Sequence, residues 1–534
     1  QEPNRSLPRN RMALPWDVSN NGCFKCHCLG KRRFMTRRLL TVCLLLCSIH
    51  LFAAGCLNVA EETAKQNAEP KGEPIPAEVE TATEDMPHDP PADEEIAPET
   101  PVEPESRVPS EEEIEQAWAD AFVFQWRLVD VYGRFGSEEA PEGAPGALPT
   151  YTLYRFHKVN ANDLPAPQRL IALSISEENV AERLSQIQHL DTLQSLSLYL
   201  QPVDSESLAN LSEVKSLKSV SLVQTEVDDA AIPALLNIPS LERISLARTK
   251  ITDAGVEQLA ASQSLKALDL SGTEITDKAL EHLAKLESLE ARDLSSTKIS
   301  ESGLAQIRGL PNLIRLELNS VEINEAALQH VGQMKNLQSL DLTFLPITDL
   351  KAIAGLTNLR ELALGGTEIT DESLSALAEM QKLESLEVWS TEITDGAYPM
   401  LERLTNLQHL GLNSNQVTGE GIERLSKLEH LESLKLDYTH MTDENLAKVA
   451  KLNTLRELRL HYCRSKITDA GVKHLSALVD LRKLSLSGLS VSNEGIGNLK
   501  SLTELETLSL GNTQVTAEGI EQLQKDLPNC KIDQ

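Results

Sequence analysis

The apolar residues of this chain follow one pattern from residue 170 to the last residue. A segment L-x-x-L-x-L is followed by a turn, by T-x-I-T-D, and then by apolar residues at helical spacing. Alternating leucines predict a short strand with its leucines in a core, and apolar residues three and four apart predict a helical segment. The pattern therefore predicts one strand and one helical segment in every unit.

The unit recurs at a nearly constant period. The second Leu position is spaced by 24 residues almost throughout, with steps of 23, 22 and 26 residues as exceptions. Such units bury their leucines only against neighbouring units, so fifteen of them predict an array of stacked coils. In chain order the position is occupied by Leu173, Leu196, Val220, Ile244, Leu268, Arg292, Leu316, Leu340, Leu362, Leu386, Leu410, Leu434, Leu458, Leu484 and Leu508.

These units resemble the leucine-rich repeat family. The 24-residue period is similar to the ribonuclease-inhibitor-like and F-box-associated repeats, with Thr where those have Asn or Cys. The shorter unit from Leu345 to Leu359 resembles the internalin type. The resemblance implies an α/β fold, a right-handed, curved leucine-rich repeat solenoid of about 15 repeats over residues 170–534, capped at its C-terminal end. It also implies a parallel sheet on the concave face, helices on the convex face, and partner binding to the concave face.

The polar residues of the turn have predictable roles. In the unit beginning at Thr273, this threonine can bond the exposed turn backbone, and Ile275 returns to the core. Thr276 can cap the next helical segment, and Asp277 in its first turn is favoured by the helix dipole.

An acidic column is predicted on the sheet. Stacked at ~4.8 Å, like charges repel by roughly 1 kcal/mol per pair in water, and Arg243 and Arg315 in the adjacent column can offset part of this. The column is either a solvated acidic face or a docking strip for a basic partner or a cation. Arg292 occupies a Leu position, and we expect it to pair with a neighbouring acid at a local distortion. The column comprises Asp269, Asp293, Glu317 and Asp341.

A mixed cluster follows in later units. An exposed Trp beside Arg and His is a composition that interface hot spots favour, and Tyr438, Tyr462 and a bulge at 463–465 lie next to it. Ordinary surface variation is the alternative, and we favour a partner-binding patch. The cluster comprises Glu387, Trp389, His409, Asn413, Lys435, Asp437, Glu457, Arg459 and His461.

The N-terminal part carries an export signal. Basic residues after Met35 precede an apolar run (39–54) that ends in Gly55-Cys56, which indicates a signal peptide over 35–56. Its end resembles a bacterial lipobox and implies lipidation of Cys56; an uncleaved anchor helix is the alternative. Either would place the body in the cell envelope, on the periplasmic or surface side. Residues 1–34 are then an upstream over-extension of the reading frame. The C-x-x-C-H motif at 23–27 precedes the export signal, so we expect it to bind neither haem nor zinc.

Two regions separate the signal from the repeats. Residues 60–110 hold 15 acidic residues and ten prolines, so we expect 57–110 to be a disordered tether. Residues 111–169 are expected to cap the solenoid, with a helix from Ser110 through Gln125, a loop from Gly133 to Pro149 and a strand over 151–156. A separate small binding domain is the alternative for this region.

Charge and motifs narrow the function. The formal net charge of -30 argues against nucleic acid and anionic lipid headgroups as partners. The repeats contain no motif of a hydrolase, metalloprotease or nucleotide-binding loop, so we expect no catalysis, cofactor or metal. Cys463 and Cys530 fall in different coils, which makes a disulfide between them improbable, and Cys530 is expected in a core position. The sequence predicts an envelope-tethered scaffold for a protein partner, with a glycan- or cell-wall-binding protein as the alternative and an enzyme acting through the region before residue 170 as the least favoured.

Overall fold

The computed structural model describes residues 123–130, 135–139, 147–154, 172–176 and 180–534. These residues form one sheet of nineteen strands with helical segments beside it. The predicted over-extension (1–34), export signal with Cys56 and tether (57–110) lie outside the described residues. Among the residues that are described, none of the helices has the length and apolar character needed to cross a bilayer.

The strands follow one another across the sheet. Strand β1 pairs antiparallel with β2 and β3, β3 pairs parallel with β4, and every later strand is parallel to its predecessor. The bounds are β1 Val123–Val129, β2 Phe135–Glu139, β3 Ala147–Tyr154, β4 Ala172–Ser176, β5 Ser195–Ser197, β6 Ser219–Ser221, β7 Arg243–Ser245, β8 Ala267–Asp269, β9 Ala291–Asp293, β10 Arg315–Glu317, β11 Ser339–Asp341, β12 Glu361–Ala363, β13 Ser385–Glu387, β14 His409–Gly411, β15 Ser433–Lys435, β16 Glu457–Arg459, β17 Lys483–Ser485, β18 Thr507–Ser509 and β19 Lys531–Asp533.

A helical segment follows each strand from β4 to β18. The α-helices are α1 Val180–Gln186, α2 Ser205–Leu208, α3 Ile232–Leu236, α4 Asp253–Leu259, α5 Asp277–Leu283, α6 Glu301–Ile307, α7 Leu328–Val331, α8 Tyr398–Leu401, α9 Asp443–Val449, α10 Asp469–Val472, α11 Asn493–Gly497 and α12 Ala517–Asp526. The 3₁₀ segments are Ala209–Glu213, Asp229–Ala231, Glu325–Ala327, Lys351–Ile353, Ser373–Leu377, Asp395–Ala397, Ile422–Lys427, Lys473–Ala477 and Asn498–Ser501.

The strand register confirms the predicted repeat. The fifteen second Leu positions pair one with the next from Leu173 to Leu508, and Ile532 in β19 continues the row as the cap. Leu268, Leu316 and Leu410 are at most 1% exposed and belong to one continuous apolar core. The predicted α/β solenoid with a curved parallel sheet and about fifteen coils is therefore confirmed.

The T-x-I-T-D segment links nine pairs of consecutive coils through side-chain hydrogen bonds. Thr276 caps α5 as predicted, and the carboxylate of Asp253 in the preceding coil accepts hydrogen bonds from its backbone N–H and Oγ1, both at 2.7 Å. Asp277 bonds Ser300 of the following coil in the same way. The aspartate thus does more than interact with the helix dipole, because it links consecutive coils. We call this series the cross-coil ladder; its further acceptors are Asp229, Glu325, Asp371, Asp395, Asp443, Asp469 and Asn493.

A second series runs along the rim of the sheet, four residues after each second Leu position. Fourteen residues there, from Leu200 to Asn512, have positive φ, and only three of them are glycine. From Leu200 to Gly488, their backbone N–H groups donate to carbonyls of the next coil, as Tyr438 does to His461 at 2.9 Å. The turn that ends each strand therefore fixes one outward residue per coil in the left-handed region, and we call this series the rim column.

The region before the repeats differs from its prediction. Gln125, expected at the end of a helix, lies in β1, where V-F-Q-W-R-L-V pairs along its length with β3. The expected loop Gly133–Pro149 contains β2 and the start of β3, which ends at Tyr154. Prolines and glycines had favoured a loop, but pairing with β1 determines the structure of both segments.

Arg292 also differs from its prediction. Its strand keeps the register of its neighbours, with Arg292 opposite Leu268 and Leu316, so no local distortion is present. The side chain is fully buried, and Nη2 donates to the carbonyl of Leu283 at 2.7 Å, while Nε and Nη1 have no partner. No ion pair to Arg292 occurs within the described part of the chain. Burial lowers its pKa to about 9.

Candidate partner-binding surface

The acidic column is not the exposed strip that the sequence predicted. Asp269 and Asp293 are buried, with 0% and 2% exposure, because they bond the backbone where the strand turns away from the sheet. Asp269 accepts from the N–H of Ser271 at 3.0 Å and from the hydroxyl of Ser245 at 2.6 Å. Asp293 accepts from the N–H of Ser295 at 3.0 Å. These two carboxylates stabilise turns and cannot form the predicted docking strip.

The other two acids of the column are half-buried. Asp341 accepts from the N–H of Thr343 at 2.8 Å, so it has the same turn-forming role. Glu317 lies 4.0 Å from Arg315, but the guanidinium of Arg315 bonds Glu361, two coils further on, at 2.7 Å. The charge of Arg315, which was predicted to offset the repulsion within the acidic column, is therefore paired mainly with an acid outside that column.

The mixed cluster is brought together on four adjacent strands, β13 to β16. One column across the sheet contains His409 and Glu457, the next contains Glu387, Lys435 and Arg459, and Trp389, Asn413, Asp437 and His461 lie where the strands end. In this last group each residue lies one coil from the next. The structure thus assembles the predicted residues into one surface, and we call it the mixed patch.

An ion pair spans two coils within the mixed patch. Lys435 Nζ lies 2.7 Å from Glu387 Oε1, although one strand separates β13 from β15. The intervening residue is Gly411, whose missing side chain leaves room, since a Cβ there would lie 1.7 Å from Glu387 Oε2. A glycine on the middle strand is therefore what allows these two charges to meet.

Asp437 is the centre of the polar part of the patch. It is 3% exposed and accepts from Arg459 Nη2 and from the backbone N–H of His461, both at 2.8 Å. Its own N–H donates to Asn413 Oδ1 at 3.0 Å. Since the side chain of Arg459 is 45% exposed, the buried carboxylate holds an arginine that still faces solvent.

Aromatic rings lie beside this polar group. Tyr438 and Tyr462 are stacked with centroids 5.9 Å apart and planes inclined by 7°, and His461 meets Tyr462 edge-on at 4.4 Å. Burial is the main cause that raises the pKa of Tyr438 and lowers the pKa of His461. His461 is therefore neutral at pH 7, and Tyr438 keeps its hydroxyl proton.

A second aromatic pair lies at the other end of the patch. Trp389 packs edge-on against Phe344 at 5.2 Å across a coil that presents Gly365 and Gly366. A Cβ on Gly365 would lie 2.1 Å from the indole, and one on Gly366 would lie 2.5 Å from the Phe344 ring. Phe344 is 49% exposed and Tyr438 is 43% exposed. The two pairs give the patch apolar area at both ends.

Sequence reasoning missed Phe344 and the glycines. Phe344 stands four residues after Leu340, which is the rim column that also holds Tyr438 and Tyr462. Reading that column across coils would have found it. Gly365 and Gly411 carry no side chain, and only the stacking of coils shows that they make space for larger neighbours.

Nothing in the described residues resembles a metal centre, since no group of three or more His, Cys, Asp or Glu side chains converges there. Cys463 and Cys530 are both buried and unpaired. Burial raises the pKa of Cys463 to about 12 and that of Cys530 to about 11. Both thiols are therefore protonated core residues, as predicted for Cys530.

Known proteins share the repeat. Residues 221–468 match a family model described as a leucine-rich repeat region. Similar solved structures include a leucine-rich repeat protein of Leptospira interrogans (22% identity, covering 71% of this chain and 96% of that one, TM-score 0.46). They also include an internalin of Listeria monocytogenes (21%, 70% and 98%, 0.41) and the ectodomain of the Arabidopsis receptor kinase HAESA in complex with a peptide hormone (17%, 65% and 67%, 0.39). No curated protein sequence is significantly similar to this chain.

The repeat pattern, the strand register and the family match agree with one another. Each coil contributes one strand to the parallel sheet, one position to the leucine core and one residue to the rim column. This chain is a leucine-rich repeat protein.

Proposed function

We propose that this chain is a non-enzymatic interaction scaffold, tethered to the cell envelope, whose concave face binds a protein partner through the mixed patch. The observation that carries the proposal is the combination of a half-buried Trp389 with an exposed Tyr438 and an exposed Arg459 within four consecutive coils. Trp, Tyr and Arg are the residues that dominate binding energy at protein interfaces. Here they are held on strands and fixed turns, so little side-chain freedom is lost on binding.

The internal contacts of the patch support a protein partner. Asp437 and Glu387 are each paired with a cation, which leaves apolar ring surface and the outer edge of Arg459 for a ligand. A glycan would need several free planar polar groups around the rings, and the buried Asp437 is already committed to three hydrogen bonds. A glycan- or cell-wall-binding protein is therefore the second candidate, supported by the exposed rings alone.

A double variant tests the patch. Trp389→Ala with Arg459→Ala should abolish capture of a specific protein from envelope extract by the immobilised protein, as read by quantitative mass spectrometry. The matched control removes an exposed apolar residue and an exposed arginine elsewhere, Val479→Ala with Arg308→Ala. Capture by the control should equal that of the unchanged protein.

The same pair of variants separates the two candidates. If the patch variant loses retention on purified cell-wall material but no captured protein, the glycan candidate is supported instead. If the patch variant and the control behave alike in both assays, the mixed patch is not the binding surface.

The envelope location is part of the same proposal, and it rests on the export signal and on Cys56. Mass spectrometry of the mature protein should find a diacylglyceryl-modified Cys56 as its first residue, and Cys56→Ala should remove that species. Recovery of a peptide that runs from the apolar segment 39–54 through an unmodified Cys56 would support the uncleaved anchor helix.

A further inference from the structure

The longest repeat carries an insertion at the rim of the sheet. The coil of β16 has three residues, Arg464 to Lys466, where the preceding coil has only His440. Its backbone is held, because the N–H of Arg464 donates to the carbonyl of Thr439 at 2.6 Å. The residue before the insertion, Cys463, is buried. The insertion therefore presents two exposed cations, Arg464 and Lys466, on an ordered backbone.

Cations at the equivalent position of other coils are paired with an acid. Lys250 lies 2.5 Å from Glu226 of the preceding coil, and Lys298 pairs with Glu274 in the same way. The coils on either side of the insertion have no acid at this position: the coil before has His440, and the coil after has Ser490.

The nearby carboxylates are also engaged. Asp443 bonds Thr468 and Asp469 bonds Ser492 in the cross-coil ladder, while Asp437 holds Arg459. Neither cation of the insertion forms an ion pair with any residue that the structure describes. In a chain of net charge -30, this is a local cationic surface to which no described residue supplies a counter-charge.

The cations lie next to the stacked tyrosines. Tyr462 is two residues before Arg464, and its ring lies over Gly488, where a Cβ would be 2.3 Å from the ring. Tyr438 adds an exposed ring on the preceding coil, and Arg459 faces solvent beside them. We call this group, Tyr438, Arg459, Tyr462, Arg464 and Lys466, the cationic rim.

We infer that the cationic rim binds an acidic, proline-containing extended segment of the partner protein. This inference rests on the proposed function and assigns the partner its chemistry. Carboxylates supply the charge that the column lacks, and proline-rich extended segments dock on aromatic surfaces with little loss of chain entropy. An anionic lipid surface is disfavoured, because the strong negative charge of the body would repel it.

Binding of synthetic peptides tests the inference on the full chain. The probe is a fluorescein-labelled peptide of about twelve residues, spanning ~37 Å when extended, in which Glu and Pro alternate; matched peptides replace Glu with Gln or Lys. Fluorescence anisotropy should show binding of the Glu peptide alone, weaker at about 0.3 M than at about 0.05 M NaCl. Arg464→Ala with Lys466→Ala should weaken binding roughly fivefold to tenfold.

The control removes the same charge from the same column. Lys250→Ala with Lys298→Ala should change the affinity less than about twofold, because both lysines are already paired and lie many coils away. Equal weakening by both double variants would show non-specific attraction and overturn the inference. So would equal binding of the Glu and Gln peptides.

Two further outcomes separate this inference from the proposed function. If the Glu peptide does not bind, but Trp389→Ala with Arg459→Ala still abolishes capture of a protein, the inference fails and the proposed function stands. If a peptide copying residues 86–109 binds at least tenfold more tightly than the Glu peptide, the occupant is a segment of this chain, and the assignment to a partner is overturned.

Discussion

Replacing Arg292 with Leu should stabilise this protein. Arg292 occupies a core position between Leu268 and Leu316, with one hydrogen bond to Leu283 and two guanidinium nitrogens that have no partner. Burial lowers the pKa of Arg292 from the ordinary arginine value to about 9, which corresponds to roughly 5 kcal/mol of lost solvation. Leucine restores the apolar row.

The gain is reduced by two costs. Arg292→Leu leaves the carbonyl of Leu283 without its donor, which costs about 1–2 kcal/mol, and the smaller side chain leaves unfilled volume. We therefore expect the free energy of unfolding to rise by about 2–4 kcal/mol. Urea unfolding followed by far-UV circular dichroism at pH 7 measures it, and Arg243→Leu, a half-buried arginine on the sheet, should change it by less than about 0.5 kcal/mol.

The pH dependence provides a second check. The unfolded chain keeps the Arg292 proton to a much higher pH than the folded chain, in which burial lowers the pKa of Arg292 to about 9. The penalty in the unchanged protein is therefore complete below about pH 9 and is relieved as the pH rises above it. The stability difference between Arg292→Leu and the unchanged protein should be constant from pH 6 to 8 and narrow above about pH 9. If the variant is less stable than the unchanged protein at pH 7, the guanidinium is satisfied by a partner and the reasoning is wrong.

Three further predictions follow from the contacts. Burial opposes ionisation of Asp277, but hydrogen bonds from the next coil outweigh it and lower its pKa. Asp277→Asn should therefore cost about 1–2 kcal/mol in urea unfolding at pH 7, and this cost should shrink as the pH falls below 3.8 and through the lowered pKa of the folded protein. Gly365→Ala should displace the indole of Trp389, change its fluorescence emission and weaken partner capture about tenfold, whereas Gly309→Ala, with no atom within 4 Å of the added Cβ, should do neither. Cys463 should resist iodoacetamide in the folded protein at pH 8 and react in urea, as read by peptide mass spectrometry; labelling of the folded protein would show that its coil opens.

The sequence was sufficient for the solenoid because its signal is repeated. Each unit specifies an inward leucine, a capping threonine and a turn. One irregular unit therefore does not obscure the period that its neighbours define. The region around Gln125 has no such repetition. There, proline and glycine content favoured a loop, while pairing between β1, β2 and β3 determined the structure.

The candidate site was predictable in part for a related reason. The columns of the sheet follow from the period, so the sequence placed Trp389, Lys435 and Arg459 on neighbouring coils. Side-chain burial does not follow from the period: Asp269 was expected to face solvent and instead bonds the turn beneath it. Contacts across two coils, such as Lys435 with Glu387 over Gly411, depend on a residue that contributes no side chain.

The rim column separates recognition from folding. Its fourteen residues include Leu, Gln, Arg, Ser, Phe, Tyr, Asn and Gly. None is β-branched, because β-branched side chains are the ones that a left-handed backbone disfavours most. Their main-chain N–H groups complete the turn whatever the side chain is. Substitutions in the rim column can therefore change the ligand preference of this protein one coil at a time, while the leucine core stays the same.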